Sequence, residues 1–500
     1  MSDSFAVGPL SNRPPAYQNQ HNEAGGYLRP AAVGRGILAV LPEILAEIFV
    51  HCLPEWPRPD PQDAPQLLCR ICRRFREVAL STPRLWSSLW VDPEKHNDFC
   101  RTWLSRAQSI PLSLKLSDDG YLPTDPEHPL LSTIIGCSRQ CRTLEISDGL
   151  FWETLLSGGS RSLNGKVPLL EELKIWDPDV VVLHDAPELR ILSISAHNPE
   201  LHLPWHQLTK LHLSFTHIPD SIQVLRDSIN LVQAAFEFDY ESSTRPVSNF
   251  RHPRLRCLAL GPCNDDEDED ERATPLAFLD CAEIPSLTEL IVVLPWQNLP
   301  YHPMVNTLSP LLSFLSHPSL RLHTLALSFP YSPLTETMEN MMECLKLAPS
   351  LAHFKFRAPS LTDIAILFAR LTGHADFLPR LEYLQLTFSD AVYPDPPALM
   401  SLVIKMLCRW AAIPPAALPK SDVVYRDRPN LVSLVIGMLC WRWAAVGFTQ
   451  LKSFRLTYIS PLAPYLDFLK SESEFRRLEE EGMLLYVGET QDTDRFWKFP

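Results

Sequence analysis

Two cysteines near the N-terminus, Cys69 and Cys72, have the Cys-x-x-Cys spacing of a zinc ligand pair. A structural zinc site takes four such ligands, and the sequence places no second cysteine pair or His-x-x-x-His close to these two. Both thiols also lie inside a run with helical apolar periodicity, where a cysteine packs as a small hydrophobe. We therefore predict core thiols here, with zinc as the weaker alternative, and we expect no metal or cofactor in this chain.

An unbroken acidic run, Asp265 to Glu271, follows Asn264. It lacks the glycine and the spaced ligands of a calcium loop, and the mutual repulsion of its charges favours an extended, solvated segment. We therefore predict an acidic loop over residues 264–272. A docking site for a basic partner and a cation site are the alternatives that this run leaves open.

Histidines are scattered along the chain without a recognisable partner for acid–base or nucleophilic chemistry. No Gly-x-Ser-x-Gly elbow and no glycine-rich phosphate loop occurs in the sequence. We therefore predict no catalytic residues, although an active site assembled from residues distant in sequence stays open. The histidines considered are His184, His202, His206, His212, His252, His317 and His323.

Composition and charge restrict the classes of partner. The chain of 500 residues has 59 acidic against 45 basic side chains, a net charge of −14, which disfavours a nucleic-acid interface. Its 12 cysteines are spread through the sequence and no Asn-x-Ser/Thr acceptor occurs, which favours the cytoplasm or nucleus over secretion. No apolar run reaches the length of a membrane span, so we expect no membrane partner. Residues 1–34 are predicted to be a disordered arm.

Two apolar helices are predicted after that arm. The segment "LPEILAEIFVHCLP" (41–54) has a broad apolar stripe at helical period, and Pro42 lies in the first turn, where a missing N–H costs little. The segment "QLLCRICRRFREVAL" (66–80) repeats that periodicity. Between them, "PEWPRPDPQDAP" (54–65) has too many prolines for a helix, so we predict a loop.

A third helical turn is predicted in "STPRLWSSLW" (81–90), with Thr82 as the N-cap and Pro83 as the first helical residue. Residues 35–92 would then form a three-helix unit. Such a unit is too small to bury its many large apolar side chains alone. We therefore expect part of its apolar surface to be shared with another protein.

This unit resembles the F-box. The resemblance rests on "LPEILAEIF", on Leu68, Cys72, Arg73 and Phe75 of the second helix, and on the closing "TPRLWSSL". It departs from the family in its long proline loop and in Phe75, where Trp is common. The ending "STPRLWSSLW", followed by "WLSRAQSIPLSLKL", is similar to the large F-box family of mushroom-forming fungi. The resemblance implies docking on a Skp-family adaptor and, through it, on a cullin. The residues expected on the docking face are Leu41, Pro42, Ile44, Leu45, Ile48, Phe49, Leu68, Cys72 and Trp86.

The rest of the chain is repetitive. A phrase of the form Pro-x-Leu-x-x-Leu-x-Leu, with looser copies, recurs among segments of helical pattern, and one strand with one helix per unit is the leucine-rich-repeat plan. We therefore predict an α/β chain, with a small N-terminal three-helix F-box followed over residues 93–500 by an irregular leucine-rich-repeat solenoid. The phrases are "RQCRTLEI", "PLLEELKI", "PELRILSI", "HQLTKLHL", "PRLRCLAL", "PSLTELIV", "LRLHTLAL", "PSLAHFKF", "PRLEYLQL" and "TQLKSFRL".

The middle residue of each Leu-x-Leu strand points away from the leucines. In a leucine-rich array these residues line the open face, which repeat proteins use for partners. The alternative for each single residue is a merely solvated strand position. The predicted target-binding residues are Lys174, Ser193, His212, Ala259, Ile291, Lys355, Gln385 and Arg455.

The resemblance implies a non-catalytic substrate-receptor subunit of a cullin–RING (SCF-type) ubiquitin ligase, which holds a protein target for ubiquitin transfer. Two alternatives stay open. One is a protein-binding scaffold that binds the adaptor but works outside a ligase. The other is a repeat-based enzyme or regulator, in which the N-terminal helices only cap the array because a repeat stack needs an end cap.

Overall fold

The structure, a computed structural model, describes 37, 40–117, 129–147, 154–159, 162–196, 199–239, 248–263, 275–294, 308–329, 335–358, 367, 370–371 and 377–388, and the backbone of 453–458 and 484–489. Only the backbone is described at 93–98, 335–337, 358 and 388. The predicted arm (1–34) and acidic loop (264–272) lie outside these residues.

The first apolar segment forms a helix, α1 (Pro42–His51), with Pro42 in its first turn as predicted. It ends at Cys52, whose N–H donates to the carbonyls of Ile48 and Phe49. The segment after the loop was predicted as one helix, and this is wrong. It forms two helices, α2 (Leu68–Ile71) and α3 (Arg73–Leu80), because Cys72 between them is extended, with φ −158° and ψ 169°.

Cys72 starts α3 as its N-cap: its thiol accepts the N–H of Phe75, with 3.4 Å between sulfur and nitrogen. The third turn is a 3₁₀ helix, Pro83–Trp86. Thr82 stands at its N-cap position and Pro83 is its first residue, as predicted, but the Thr82 side chain makes no capping hydrogen bond. The Thr82 hydroxyl instead donates to the Val78 carbonyl at 2.7 Å, so it closes the end of α3.

The proline-rich loop lies against the first strand of the sheet, β1 (Ser88–Val91). The Trp90 N–H donates to the Pro57 carbonyl at 2.8 Å. The guanidinium carbon of Arg58 stands 3.2 Å from the centroid of the Trp90 ring, a cation–π contact. The proline-rich loop is therefore held against the sheet by a hydrogen bond and a cation–π contact.

One parallel sheet of 14 strands runs through the described part of the chain. After β1 its strands are β2 (Leu112–Ser117), β3 (Cys141–Ser147), β4 (Glu172–Trp176), β6 (Ile191–Ser195), β8 (Lys210–Thr216), β9 (Gln233–Phe238), β11 (Cys257–Pro262), β13 (Glu289–Val293), β14 (Thr324–Ser328), β15 (His353–Ala358), β16 (Tyr383–Phe388), β17 (Ser453–Tyr458) and β18 (Leu484–Glu489). They pair in chain order. Two short parallel pairs stand apart: β5 (Val180–Val182) with β7 (Glu200–His202), and β10 (Phe250–Arg251) with β12 (Ala282–Glu283).

Helices connect many of these strands, as parallel pairing requires a crossover. They are α4 (Pro93–Arg106), α5 (Pro129–Cys137), α6 (Ile218–Asp227), α7 (Ser309–Leu315) and α8 (Thr335–Lys346). Short 3₁₀ helices occur at Ser138–Gln140, Trp205–Gln207 and Pro275–Cys281. No helix in the described ranges is long and apolar enough to cross a membrane.

The core lies on one face of the sheet, where two apolar rows cross it from strand to strand. Leu89, Leu114 and Leu144 begin one row, and Val91 and Leu116 begin the other. All of their described members are buried. The N-terminal helices join the same core: α1 and α3 contribute to it, and the Trp86 ring stands 4.9 Å from the ring of Trp103 in α4. The mixed α/β fold predicted from the sequence is therefore found, with a long parallel sheet.

Every predicted Leu-x-Leu phrase ends in a strand of this sheet. The strands not predicted are β1, β2, β9 and β18. In β9 the positions of the usual leucines hold Ala234 and Phe236, so the phrase is hard to recognise. Strand β1 falls within residues 35–92, so the expected helical unit contributes the first strand of the sheet.

Candidate functional site

The structure divides the residues expected to dock a partner into a buried and an exposed set. Leu45, Phe49, Leu68 and Trp86 are buried in the chain's own core. The Phe49 ring stands 4.9 Å from that of Phe75, and the Trp86 indole N–H donates to the Ala79 carbonyl at 2.9 Å. These side chains hold α1, α3 and the 3₁₀ turn together, so they cannot contact a partner while the unit is folded.

The exposed set lies on the other face of α1. Leu41, Ile44 and Ile48 are 66%, 52% and 39% exposed, and their i, i+3, i+7 spacing puts them on one stripe. Two further exposed apolar residues stand at α2, Leu67 (42%) and Ile71 (56%), four residues apart, and the sequence analysis did not assign them to the docking face. We call Leu41, Ile44, Ile48, Leu67 and Ile71 the apolar helix face.

The remaining two expected residues have other roles. Pro42 is exposed at the start of α1. Cys72 is partly buried and caps α3 through its thiol, so its role is structural. Among the described residues no group of His, Cys, Asp and Glu could hold a metal ion.

The residues predicted to bind a target lie in one register row across the sheet. Lys174 pairs with Ser193, which pairs with His212, and the row continues to Lys355, Gln385 and Arg455. We call the sheet face that carries this row the polar sheet face. The row also contains residues that the sequence analysis did not name, which are Trp90, Lys115, Glu145, Ala235, Ala326 and Tyr486.

The middle of this row is buried, which corrects the prediction for two residues. Ala259 and Ile291, expected on an open face, form a small apolar cluster with Ala235 and Ala326. Alanine methyl groups are short and easily covered by longer neighbours, so strand alternation gives the face of a residue but not its exposure. The apolar cluster separates two polar regions of the face.

The first polar region contains two ion pairs, one between neighbouring strands and one within a strand. The Lys115 ammonium pairs with the buried Glu145 and also lies 5.0 Å from the Trp90 ring. Lys174 pairs with Glu172 at 2.8 Å. Because these charges neutralise each other, they contribute little to the binding of a charged partner.

A hydrogen-bonded chain links Ser193, His212 and Glu237 in the same region. The Ser193 hydroxyl is 3.2 Å from Nδ1 of His212, and Nε2 of His212 is 3.3 Å from a Glu237 carboxylate oxygen. Burial alone would raise the pKa of Glu237, but hydrogen bonds from His212 and Ser214 and the His212 charge outweigh it, and the pKa is lowered. The acid was missed because β9 was not predicted.

These groups resemble the parts of a hydrolytic triad, but the geometry does not complete one. Acyl transfer needs preorganised N–H donors for an oxyanion. Strands β6, β8 and β9 are interior strands of a parallel ladder, which uses their N–H groups in pairing. The described residues around Ser193 therefore offer an ordered polar surface rather than an acyl-transfer site.

The second polar region carries positive charge. In β15, His353, Lys355 and Arg357 alternate with the buried Phe354 and Phe356, so all three basic residues lie on the polar sheet face. On the next strand the Tyr383 hydroxyl donates to the Gln385 amide oxygen at 2.8 Å. For Arg455 the structure describes the backbone, which pairs with Gln385 as the row requires.

Comparisons with known proteins give no family. No family model and no curated protein matches the sequence. Among solved structures, the chain is similar to the crystal structure of a Bacteroides fragilis protein, a structural genomics target, with 11% identity and a TM-score of 0.21. The match spans 76% of this chain and 66% of that one, just under two thirds of its length. The case for a function therefore rests on the residues described above.

Proposed function

We propose that the chain is an F-box-type substrate receptor. The apolar helix face docks on a Skp-family adaptor, and the polar sheet face holds a protein target for a cullin–RING ubiquitin ligase in the cytoplasm or nucleus. The chain itself carries out no chemistry and supplies proximity between target and ligase.

The observation that carries this proposal is the two-sided character of α1. One side, with Leu45 and Phe49, is buried in the core, while the other exposes Leu41, Ile44 and Ile48. A helix that only capped the sheet would place polar side chains on its outer side. A contiguous set of exposed large apolar residues instead is typical of a protein–protein interface.

The energy available at this face is comparable to the cost of association. Full burial of a Leu or Ile side chain contributes about 1.5–3 kcal/mol, and these residues are roughly half exposed, so the five have ~4–8 kcal/mol to gain together. Association itself costs about 4–15 kcal/mol in lost freedom of motion. Binding therefore needs most of these side chains together, and the loss of two of them should abolish adaptor binding.

The alternative in which the N-terminal helices only cap the array has support from the continuous core and from β1. Both roles are compatible, because they use opposite sides of the same helices. The capping side consists of the buried residues named above, and the docking side is the apolar helix face.

The first test is co-expression of the full chain with a fungal Skp-family adaptor, comparing wild type with Ile44→Asp/Ile48→Asp. Two carboxylates placed in an apolar interface should weaken binding by ~3 kcal/mol or more, about a hundredfold. The matched control is Ile229→Asp/Leu347→Asp, which changes two exposed apolar residues in the sheet region and should bind like wild type. No binding by the wild-type chain would refute the proposal.

A second variant separates docking from folding. Leu45→Asp/Phe49→Asp places two charges in the core and should unfold the helical unit, so it loses both adaptor binding and its native circular dichroism. Ile44→Asp/Ile48→Asp should keep the wild-type spectrum. A scaffold that works outside a ligase would bind the adaptor equally, and ubiquitylation of a co-purified target distinguishes the two roles.

A further inference from the structure

Arg357, at the end of β15, has a largely buried guanidinium without a partner. Its Nε is shielded from water and has no hydrogen-bond acceptor. Among the described residues, no carboxylate forms an ion pair with this guanidinium and no side-chain hydrogen bond from it is found. Burial lowers the pKa of this guanidinium, and burial is the cause found for that shift. A cation that is held largely away from water without a counter-charge is costly, so this position favours an anion from outside.

Two buried hydroxyl residues and a second cation flank Arg357. Its register neighbours are Ser328 on β14 and Thr387 on β16, both buried hydroxyl residues. Lys355 is two residues away on the same strand and the same face, about 6.6 Å along the strand. Lys355 also has no ion pair within the described ranges. A guanidinium fork and an ammonium therefore stand side by side on the polar sheet face.

The acids of this region do not neutralise the pair. Glu289 and Glu382 act on His353, at the other end of β15. Glu237 lies in the same row of paired residues as Arg357, but it is several strands away, in β9. There it is hydrogen-bonded to His212. The charge that completes the site must come from outside the described chain.

We propose that Arg357 and Lys355 form a binding site for a carboxylate group on an acidic segment of a protein target. Guanidinium binds carboxylate through two parallel N–H···O bonds, which gives both energy and direction. This inference deepens the target-binding half of the proposed function, and it is independent of adaptor docking because β15 lies many strands away from β1 in the sheet.

The test uses the purified full chain without adaptor. A short fluorescein-labelled peptide that alternates glutamate and serine is titrated and followed by anisotropy, beside a peptide with glutamine in place of glutamate. We expect binding of the glutamate peptide, a loss of about tenfold or more in Arg357→Gln, and a smaller loss in Arg357→Lys, which keeps the charge but not the fork. Arg321→Gln, the same change at an exposed arginine before β14, should bind like wild type.

A stability measurement separates this role from a structural one. Arg357→Met removes an unpaired buried cation, so it should raise the thermal midpoint, whereas loss of a structural arginine would lower it. The glutamate peptide should raise the midpoint of the wild type and not of the variant. Equal affinity of Arg357→Gln and Arg321→Gln, equal binding of the two peptides, or a lower midpoint for Arg357→Met would each overturn the proposal. None of these outcomes tests adaptor binding, which is assigned to the apolar helix face.

Discussion

His252 is held in its neutral form by burial and by the Leu255 N–H, which donates to its Nδ1. The imidazole is buried, its Nε2 is 3.1 Å from the Ser228 carbonyl oxygen, and its Nδ1 is 3.1 Å from the Leu255 nitrogen. A ring that donates from Nε2 and accepts at Nδ1 has no place for a second proton. Burial lowers the pKa of His252, and the hydrogen bond to Ser228 opposes this only in part.

This histidine should make stability depend on pH. Because its folded pKa is below the unfolded value of about 6.5, the unfolded state binds more protons between the two values, and stability rises with pH across that window. We therefore expect wild type to lose stability as pH falls below about 6.5, down to the folded pKa. His252→Gln should lose less over the same range, measured by urea unfolding. An exposed control, His317→Gln, should follow wild type; an equal pH slope in His252→Gln would count against this account.

Residue positions on the sheet were predictable, but their exposure was not. The alternation of Leu-x-Leu placed Lys174, Ser193 and His212 correctly in one row, since strand geometry fixes the face. It could not show that Ala259 and Ile291 are buried, because burial depends on neighbouring strands. For the same reason the sequence could not indicate that Arg357 lacks a partner.

At the scale of elements, the break between α2 and α3 shows a limit of periodicity. The apolar spacing continues through Cys72, so one helix was predicted from it. The break depends on a local contact, the thiol that accepts the Phe75 N–H. Side-chain caps of this kind compete with helix continuation, and they leave little trace in the hydrophobic pattern.

Substitutions at Cys72 should test this cap. Cys72→Ser keeps an acceptor at the N-cap and Cys72→Ala removes it, so we expect the alanine variant to be less stable than the serine variant by about 0.5–1 kcal/mol. The measurement is the urea midpoint of each variant. A serine variant no more stable than the alanine variant would mean that the thiol contact does not stabilise α3.

At the scale of the whole molecule, the parallel α/β architecture followed from the sequence because most of the strands repeat one phrase. The packing of the N-terminal helices against the sheet could not be predicted from the sequence. The N-terminal unit was expected to be separate, yet β1 and Trp86 connect it to the sheet, and the core is continuous. The contact between Trp86 and Trp103 joins distant segments, which local patterns do not reveal.

In a stack of this kind, a destabilising substitution should affect mainly the strands near it, because each strand contacts mainly its neighbours. Trp86→Ala should cost about 3–5 kcal/mol at the N-terminal end. We expect faster hydrogen exchange in β1 and β2 and little change in β15 and β16. Phe354→Ala, which empties an equally buried site in β15, should give the reverse pattern. Uniform acceleration in both variants would indicate a single cooperative unit.

The proline-rich loop beside β1 has a consequence for self-association. The first strand of an open sheet has an edge to which another chain can add, a common route to fibres. Here residues 54–65 cover that edge: Pro57 accepts the Trp90 N–H, and Arg58 lies on the Trp90 ring. Prolines cannot extend the ladder themselves. Shortening this loop should therefore produce concentration-dependent polymers, visible by light scattering, in a chain whose fold is otherwise unchanged.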